Sequence, residues 1–301
     1  MDKEAREHLS KELEAGNIRF LQPQDSFEFG CAACGGCCFG LVVLLNPMDV
    51  YMMSRSRMAK NTYRVRWTHD LLMAGLVRLN RGPDSRFPIA TIGFGSTGRK
   101  GTTRCPFLVP KYPDRHDLGL LNGLDLNGVR RYTSNGVHFV CSLHEEGLKP
   151  AICRLSPLGR TYELTEDGKE LSPKYIWYPA SAACPGVRCK KSWTLEKYLE
   201  ESRLNGNSKY SQWWYDLTRS RREEVKAMDE ETCIKFGLIL YDLDFIVMGV
   251  SMLGEKVMET VLAMGDVPSQ RLDEGAYFEM LKSTVDSFFA ALAKKVETPG
   301  S

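Results

Sequence analysis

The sequence predicts an α+β chain: an irregular cysteine-rich domain of short strands and helices, followed by a mainly α-helical C-terminal region. Three observations predict it. Nine of the ten cysteines fall before residue 190. Residues 81 to 135 are rich in Gly, Pro, Asn and Asp, which favour turns over long elements. After Cys189 the cysteines give way to helical periodicity. The expected boundaries are 1–26 for an N-terminal helix and linker, 27–190 for the cysteine-rich domain and 191–301 for the helical region.

Taken in order, residues 4 to 15 read as an amphipathic helix with Ala5, Leu9 and Leu13 on one face, stopped by Gly16-Asn17. Residues 22 to 30 are a linker ending in the short extended piece SFEFG, and the run CAACGGCC follows at 31 to 38. Leu41 to Leu45 reads as a buried strand. Asn46-Pro47 fits an N-cap followed by proline at the first helical position, with the helix running to about Arg57. A second helix is expected over 68 to 77. Strands are expected at Phe87 to Phe94, Phe107 to Val109 and Val137 to Cys141. Tyr162 to Leu164 and Lys174 to Tyr178 flank Asp167-Gly168, a hairpin signal.

Beyond the boundary, Trp193 to Ser202 and Tyr210 to Met228 read as helices. Ile234 to Val250 fits either a helix or a buried strand. The clearest helix is the last. Leu281, Val285, Phe288, Phe289, Leu292 and Val296 recur at helical spacings and make one apolar stripe.

Composition narrows the functional classes. The 301 residues are 43% hydrophobic and 26% charged, as in an ordinary globular chain. The net charge of +2 gives no bulk electrostatic case for nucleic acid or an anionic membrane. The N-terminus is charged from residue 2 and lacks the apolar core of a secretory signal. The apolar stretch near Phe245 to Leu253 is far shorter than the roughly 20 residues of a membrane span. A cytoplasmic chain is the expectation, and disulfides do not persist there, so ten cysteines point to metal or redox chemistry.

The cysteine run is the most specific feature. Cys31, Cys34 and Cys37 repeat every three residues, with Cys38 beside the last. Two intervening residues let two sulfurs converge on one ion at about 2.3 Å. Three such cysteines can hold three corners of a cubane cluster. Gly35-Gly36 removes side chains where the backbone must curl. Adjacent Cys37 and Cys38 cannot easily point at one ion together, so they are expected to serve two centres or to bridge them. Cys105, Cys141, Cys153, Cys184 and Cys189 lie singly in loop-like or proline-flanked contexts. Metal crosslinks among these nine cysteines would tie residues 31 to 189 together, turning binding energy into folding energy. Scattered cysteines are ordinarily inert packing groups. That reading suits Cys233, in its helical context, and not the clustered run.

Other motifs carry less. His144, three residues after Cys141, is a possible alternate ligand, although an ordinary loop histidine is the plainer reading. His138 and His116 have no special claim. GFGSTGRKG at 93 to 101 lacks the P-loop pattern and reads as a glycine-rich turn. RSRREE at 219 to 224 reads as a solvated helix face with local ion pairs. Trp213, Trp214 and Tyr215 read as core or a domain interface. No serine–histidine–acid order stands out.

The pattern C-x2-C-G-x-CC, an apolar strand, a helix from Pro47, CPF at 105 to 107, the cysteine at 141, KPAICRLSP at 149 to 157 and CPG at 184 to 186 together resemble the YkgJ-type cysteine-cluster family, described as zinc- or iron-chelating proteins. The resemblance covers roughly residues 27 to 190. It implies eight ligand cysteines, here Cys31, Cys34, Cys37, Cys38, Cys105, Cys141, Cys153 and Cys184, with Cys189 additional. The family's Arg-Pro before its seventh cysteine is Lys149-Pro150 here, which keeps the charge and loses the guanidinium fork. Arg154 matches the family's arginine after that cysteine. A related branch includes flagellin lysine methylases, implying a methylase-like enzyme by analogy alone.

Both iron–sulfur clusters and zinc accept thiolates. A three-cysteine loop with a distant fourth thiolate favours a 4Fe-4S cluster slightly; eight cysteines also suit two four-thiolate zinc sites. Three functions follow: an iron–sulfur protein in redox or protein-modification chemistry, a structural zinc module joined to helices that bind another protein, or a metal carrier. No nucleic-acid or membrane partner is expected. The sequence names no catalytic residue.

Overall fold

The computed structural model describes residues 11, 14–15, 18–31, 33–39, 42–82, 85–96, 103–111, 138–164, 171–177, 186, 189–204, 208–247 and 272–297. It bears out the α+β expectation with helices and small antiparallel sheets. The chain divides into two compact units that are each discontinuous in sequence: 1–43 with 94–216, and 44–93 with 217–301. The last of the three boundaries, between 216 and 217, falls inside the helix Ser208–Ser220.

The first unit is built on short ribbons. Leu158–Leu164 pairs antiparallel with Leu171–Trp177, and Arg19–Leu21 lies on the other edge of Leu171–Trp177. Register closes at Leu164↔Leu171, so the hairpin is longer than its expected flanks; its turn lies outside the described residues. Ser26–Glu28 pairs with Ser192–Thr194. Trp193 is therefore a strand residue, not the start of a helix. The helix begins at Leu195, where the Thr194 hydroxyl accepts from the Lys197 amide as N-cap. Leu21, Phe27, Phe29, Ala151, Leu155, Leu158, Leu195, Tyr198 and Leu204 form this unit's core. Phe27 lies against Trp177 and Tyr198 at ring separations of 4.9 and 5.2 Å, offset and edge geometries that aromatic quadrupoles favour.

The second unit packs helices on a three-stranded antiparallel sheet in which Pro88–Ile92 lies between Leu44–Leu45 and Val77–Arg81. Asn46 caps the helix Pro47–Ser54 in a full capping box with Asp49. That helix stops short of Arg57 because Ser56 caps a new one, Arg57–Tyr63. Thr68–Met73 is a third short helix, and Val77 already belongs to a strand. The ambiguous apolar segment is helical, Glu230–Val247, and breaks its helical dihedrals at Asp242. The last helix is Glu274–Glu297, with Leu281, Val285 and Phe289 buried on the expected stripe. Phe289 meets Phe236 edge-on at 5.2 Å. Among the described residues no helix is long and apolar enough to cross a membrane. The helix expected over 4–15 and most of the glycine-rich 93–101 segment lie outside the described residues.

Candidate metal centre

The cysteine loop is laid across a ribbon in the first unit. Leu108–Lys111 pairs antiparallel with His138–Cys141, and the register puts Cys141 opposite Leu108. The loop meets this ribbon through a parallel bridge from Cys34 to Phe139, with the Phe139 amide donating to the Ala33 carbonyl at 2.7 Å. It meets the neighbouring strand Thr103–Arg104 through a bridge from Phe39 to Arg104. The Cys105 amide then donates to the Cys38 carbonyl at 2.8 Å. Gly35 is required here on two counts. Its φ is +67°, and a Cβ would stand 2.8 Å from Phe139 Cβ and 3.0 Å from Leu108 Cδ1.

This scaffold brings Cys37, Cys38, Cys105 and Cys141 together from three segments. Cys37 donates to Cys38, and Cys38 to Cys105, each hydrogen bond favouring the neutral thiol of the donor. These bonds come first among the causes that push Cys37 and Cys38 far above an ordinary thiol pKa. Cys37 is exposed, so burial matters less there than its bond to Cys38. Cys141 is raised mainly by burial, while Lys149 and the backbone amides of Leu143 and His144 favour its thiolate. Lys149 also lowers Cys37, so one cation serves thiols from two segments. Cys37 and Cys38, expected to serve two centres or to bridge them, share one group of thiols with Cys105 and Cys141.

The other predicted ligands fall elsewhere. Cys34 Sγ takes the Gly36 amide at 3.5 Å. Cys153 is half-buried on the short helix Ala151–Leu155. Neither is among the groups acting most strongly on Cys37, Cys38 or Cys141. Cys31 and Cys189 are exposed, and the Cys189 sulfur lies over Gly30, where a Cβ would stand 2.4 Å from it. Cys184 lies outside the described residues. His144 is held below the ordinary histidine pKa by partial burial and then by Lys149 and Arg203, a setting that keeps an imidazole neutral. Cys233 is buried in the second unit, 3.4 Å from the Arg86 carbonyl.

Among the described residues, no group of three or more His, Cys, Asp or Glu side chains is arranged to hold a metal ion. Cys37, Cys38 and Cys105 are linked by hydrogen bonds, and Cys141 lies near enough to Cys37 and Cys38 to interact with both. Their chemistry nonetheless fits a soft metal: four sulfurs, two or more of them screened from water, and a lysine to offset thiolate charge.

One polar cluster escaped the sequence reading. In the second unit His69 Nδ1 lies 2.8 Å from Asp242 Oδ2, and the Thr68 amide donates to both Asp244 oxygens at 3.2 Å. Both carboxylates are buried. The signal was two aspartates, in YDLD, inside an apolar helix. No protein-family model, curated protein or solved structure matches the chain.

Proposed function

We propose that this chain is a cysteine-ligated metal-binding protein of the YkgJ type, its centre held by Cys37, Cys38, Cys105 and Cys141. The observation that carries the reading is the meeting of four thiols from three chain segments in the first unit. Bound there, an iron–sulfur cluster would supply redox chemistry, for electron transfer or modification of a partner protein. The chain's own groups hold the four sulfurs, and Lys149 and the Leu143 and His144 amides stabilise thiolate charge once the protons leave.

A second reading, a closed zinc site in a structural module or carrier, draws on the same donors. Four sulfurs leave no open coordination position, the usual arrangement of structural zinc. A partner protein would meet the helical region, although the apolar stripe of the last helix is taken up inside the second unit. The lysine methylase-like activity rests only on analogy.

Elemental analysis of anaerobically purified protein, with sulfide assay and visible spectrum, tests the proposal. Iron with sulfide and a broad visible band supports the cluster; zinc without colour supports the second reading. Cys38→Ser and Cys105→Ser should each abolish binding, while Cys233→Ala keeps the full metal content. Undiminished metal in both serine variants, or metal-free wild type, sinks the proposal.

A further inference from the structure

Within the nest of Cys37, Cys38, Cys105 and Cys141, one pair of thiols sits on opposed backbone positions. Phe39 bridges Arg104 in the antiparallel sense. One position on, the Cys105 amide donates to the Cys38 carbonyl at 2.8 Å. In an antiparallel pair, positions with and without mutual hydrogen bonds alternate. Phe39 with Arg104 is the position without, and Cys38 with Cys105 is the next. The hydrogen bond joins the two cysteines themselves. Its counterpart is not made, because the Cys38 amide donates to the Gly35 carbonyl at 2.9 Å. Residues opposed in this way have Cα atoms about 5.5 Å apart, inside the roughly 4.4–6.8 Å that a disulfide spans.

The side chains agree with the backbone. The Cys38 thiol donates to the Cys105 sulfur, so the two sulfurs face one another. Both segments are anchored. The Phe139 amide holds the Ala33 carbonyl of the cysteine loop at 2.7 Å, and the Leu108 amide holds the Cys105 carbonyl at 3.2 Å. The other pairings within the nest are poorer. Cys37 and Cys38 would close a small ring around one planar peptide bond, which strains the S–S geometry. Cys141 acts on Cys38 through its charge, and the residue opposed to it is Leu108. Cys38 is half-buried, Cys105 is buried and both are reduced in this structure, so the fitting oxidant is a small one.

We propose that Cys38 and Cys105 are a dithiol modification site that hydrogen peroxide closes reversibly to a cross-strand disulfide when the nest holds no metal. The Cys38 thiolate attacks one peroxide oxygen and the O–O bond breaks, leaving a sulfenic acid and releasing one water. The Cys105 thiolate attacks the Cys38 sulfur, forming the S–S bond and expelling the hydroxyl as a second water. The two thiol protons and the two peroxide protons end in those waters. The dithiol is oxidised by two electrons and the peroxide is reduced by two. Exchange with a small dithiol reopens the bond. The pairing rests on the register and the thiol contact. That closure withholds two of four ligands rests on the metal-binding reading.

The test treats the full chain, stripped of metal by a chelator, with limiting hydrogen peroxide. Mildly alkaline pH is used because the thiolate is the attacking species. The remaining thiols are alkylated before peptide mapping. Wild type should give a peptide linking Cys38 to Cys105, assigned by fragmentation between Cys37 and Cys38 and lost on treatment with dithiothreitol. Cys37→Ser should keep the link, and Cys38→Ser should lose it and leave Cys105 alkylated. The proposal is overturned by wild type without the link, by Cys105 joined to any other cysteine, or by a link that persists in Cys38→Ser. Zinc uptake by the reduced chain, measured separately, decides the metal-binding reading and leaves the peptide result standing.

Discussion

Asp242 shows what one buried carboxylate does to a fold. It interrupts the helical dihedrals of its own helix and faces His69, Thr68 and Asp244. Burial, chiefly, lifts its pKa from 3.8 to about 6; the His69 pairing opposes the shift and the charge of Asp244 adds to it. Below pH 4 the folded and unfolded states both hold the proton. Between pH 4 and 6 the unfolded chain releases it while the folded chain keeps it, so stability falls as pH rises and levels off above 6. Asp242→Asn should flatten that slope, which is worth up to about 3 kcal/mol. Urea denaturation followed through the second unit at several pH values measures it. A wild-type curve flat from pH 4 to 6 would remove the argument. At Gly93 sterics dominate: a Cβ would stand 1.8 Å from the Gly75 carbonyl oxygen. Gly93→Ala must shift backbone, and a loss of at least 1–3 kcal/mol, roughly the cost of overpacking, is expected.

Among the elements, those with a local physical signature were legible. Asn46-Pro47 announces a helix start because a short polar side chain can accept from Asp49 while proline needs no amide partner there. Asn46→Ala should cost about 1 kcal/mol in the second unit, read as a drop in its urea midpoint; an unchanged midpoint would mean the capping box contributes nothing. The last helix was legible from its stripe. The break between Ser54 and Arg57 was less so, since Ser56 in the middle of MSRSRM competes as a cap that apolar spacing ignores. Trp193 was read as helical because periodicity cannot see that Phe27 waits opposite it in a strand. The same blindness hid the partner of Asp242, which lies more than 170 residues away.

At the scale of the whole molecule, the cysteines were legible as a set but not as groups. The run at 31–38 signals thiol chemistry; which sulfurs meet depends on ribbons such as Leu108–Lys111 with His138–Cys141, whose pairing is not local. Nor does the sequence show that residues 44–93, lying between Cys38 and Cys105, pack with 217–301. Each unit carries its own aromatic core: Phe27, Phe29 and Tyr198 in one, Phe236, Tyr241 and Phe289 in the other. This arrangement makes the effect of losing a thiol of the nest formed by Cys37, Cys38, Cys105 and Cys141 local. Cys105→Ser places a hydroxyl in a buried site whose partners are sulfurs, and removes one candidate ligand. Amide hydrogen exchange should therefore rise in His138–Cys141 and in Gly36–Cys38, while the helices Glu230–Val247 and Glu274–Glu297 exchange as in wild type. Faster exchange spread equally over both units would show that the nest holds the entire molecule together, as the expected metal crosslinks from 31 to 189 alone do not require.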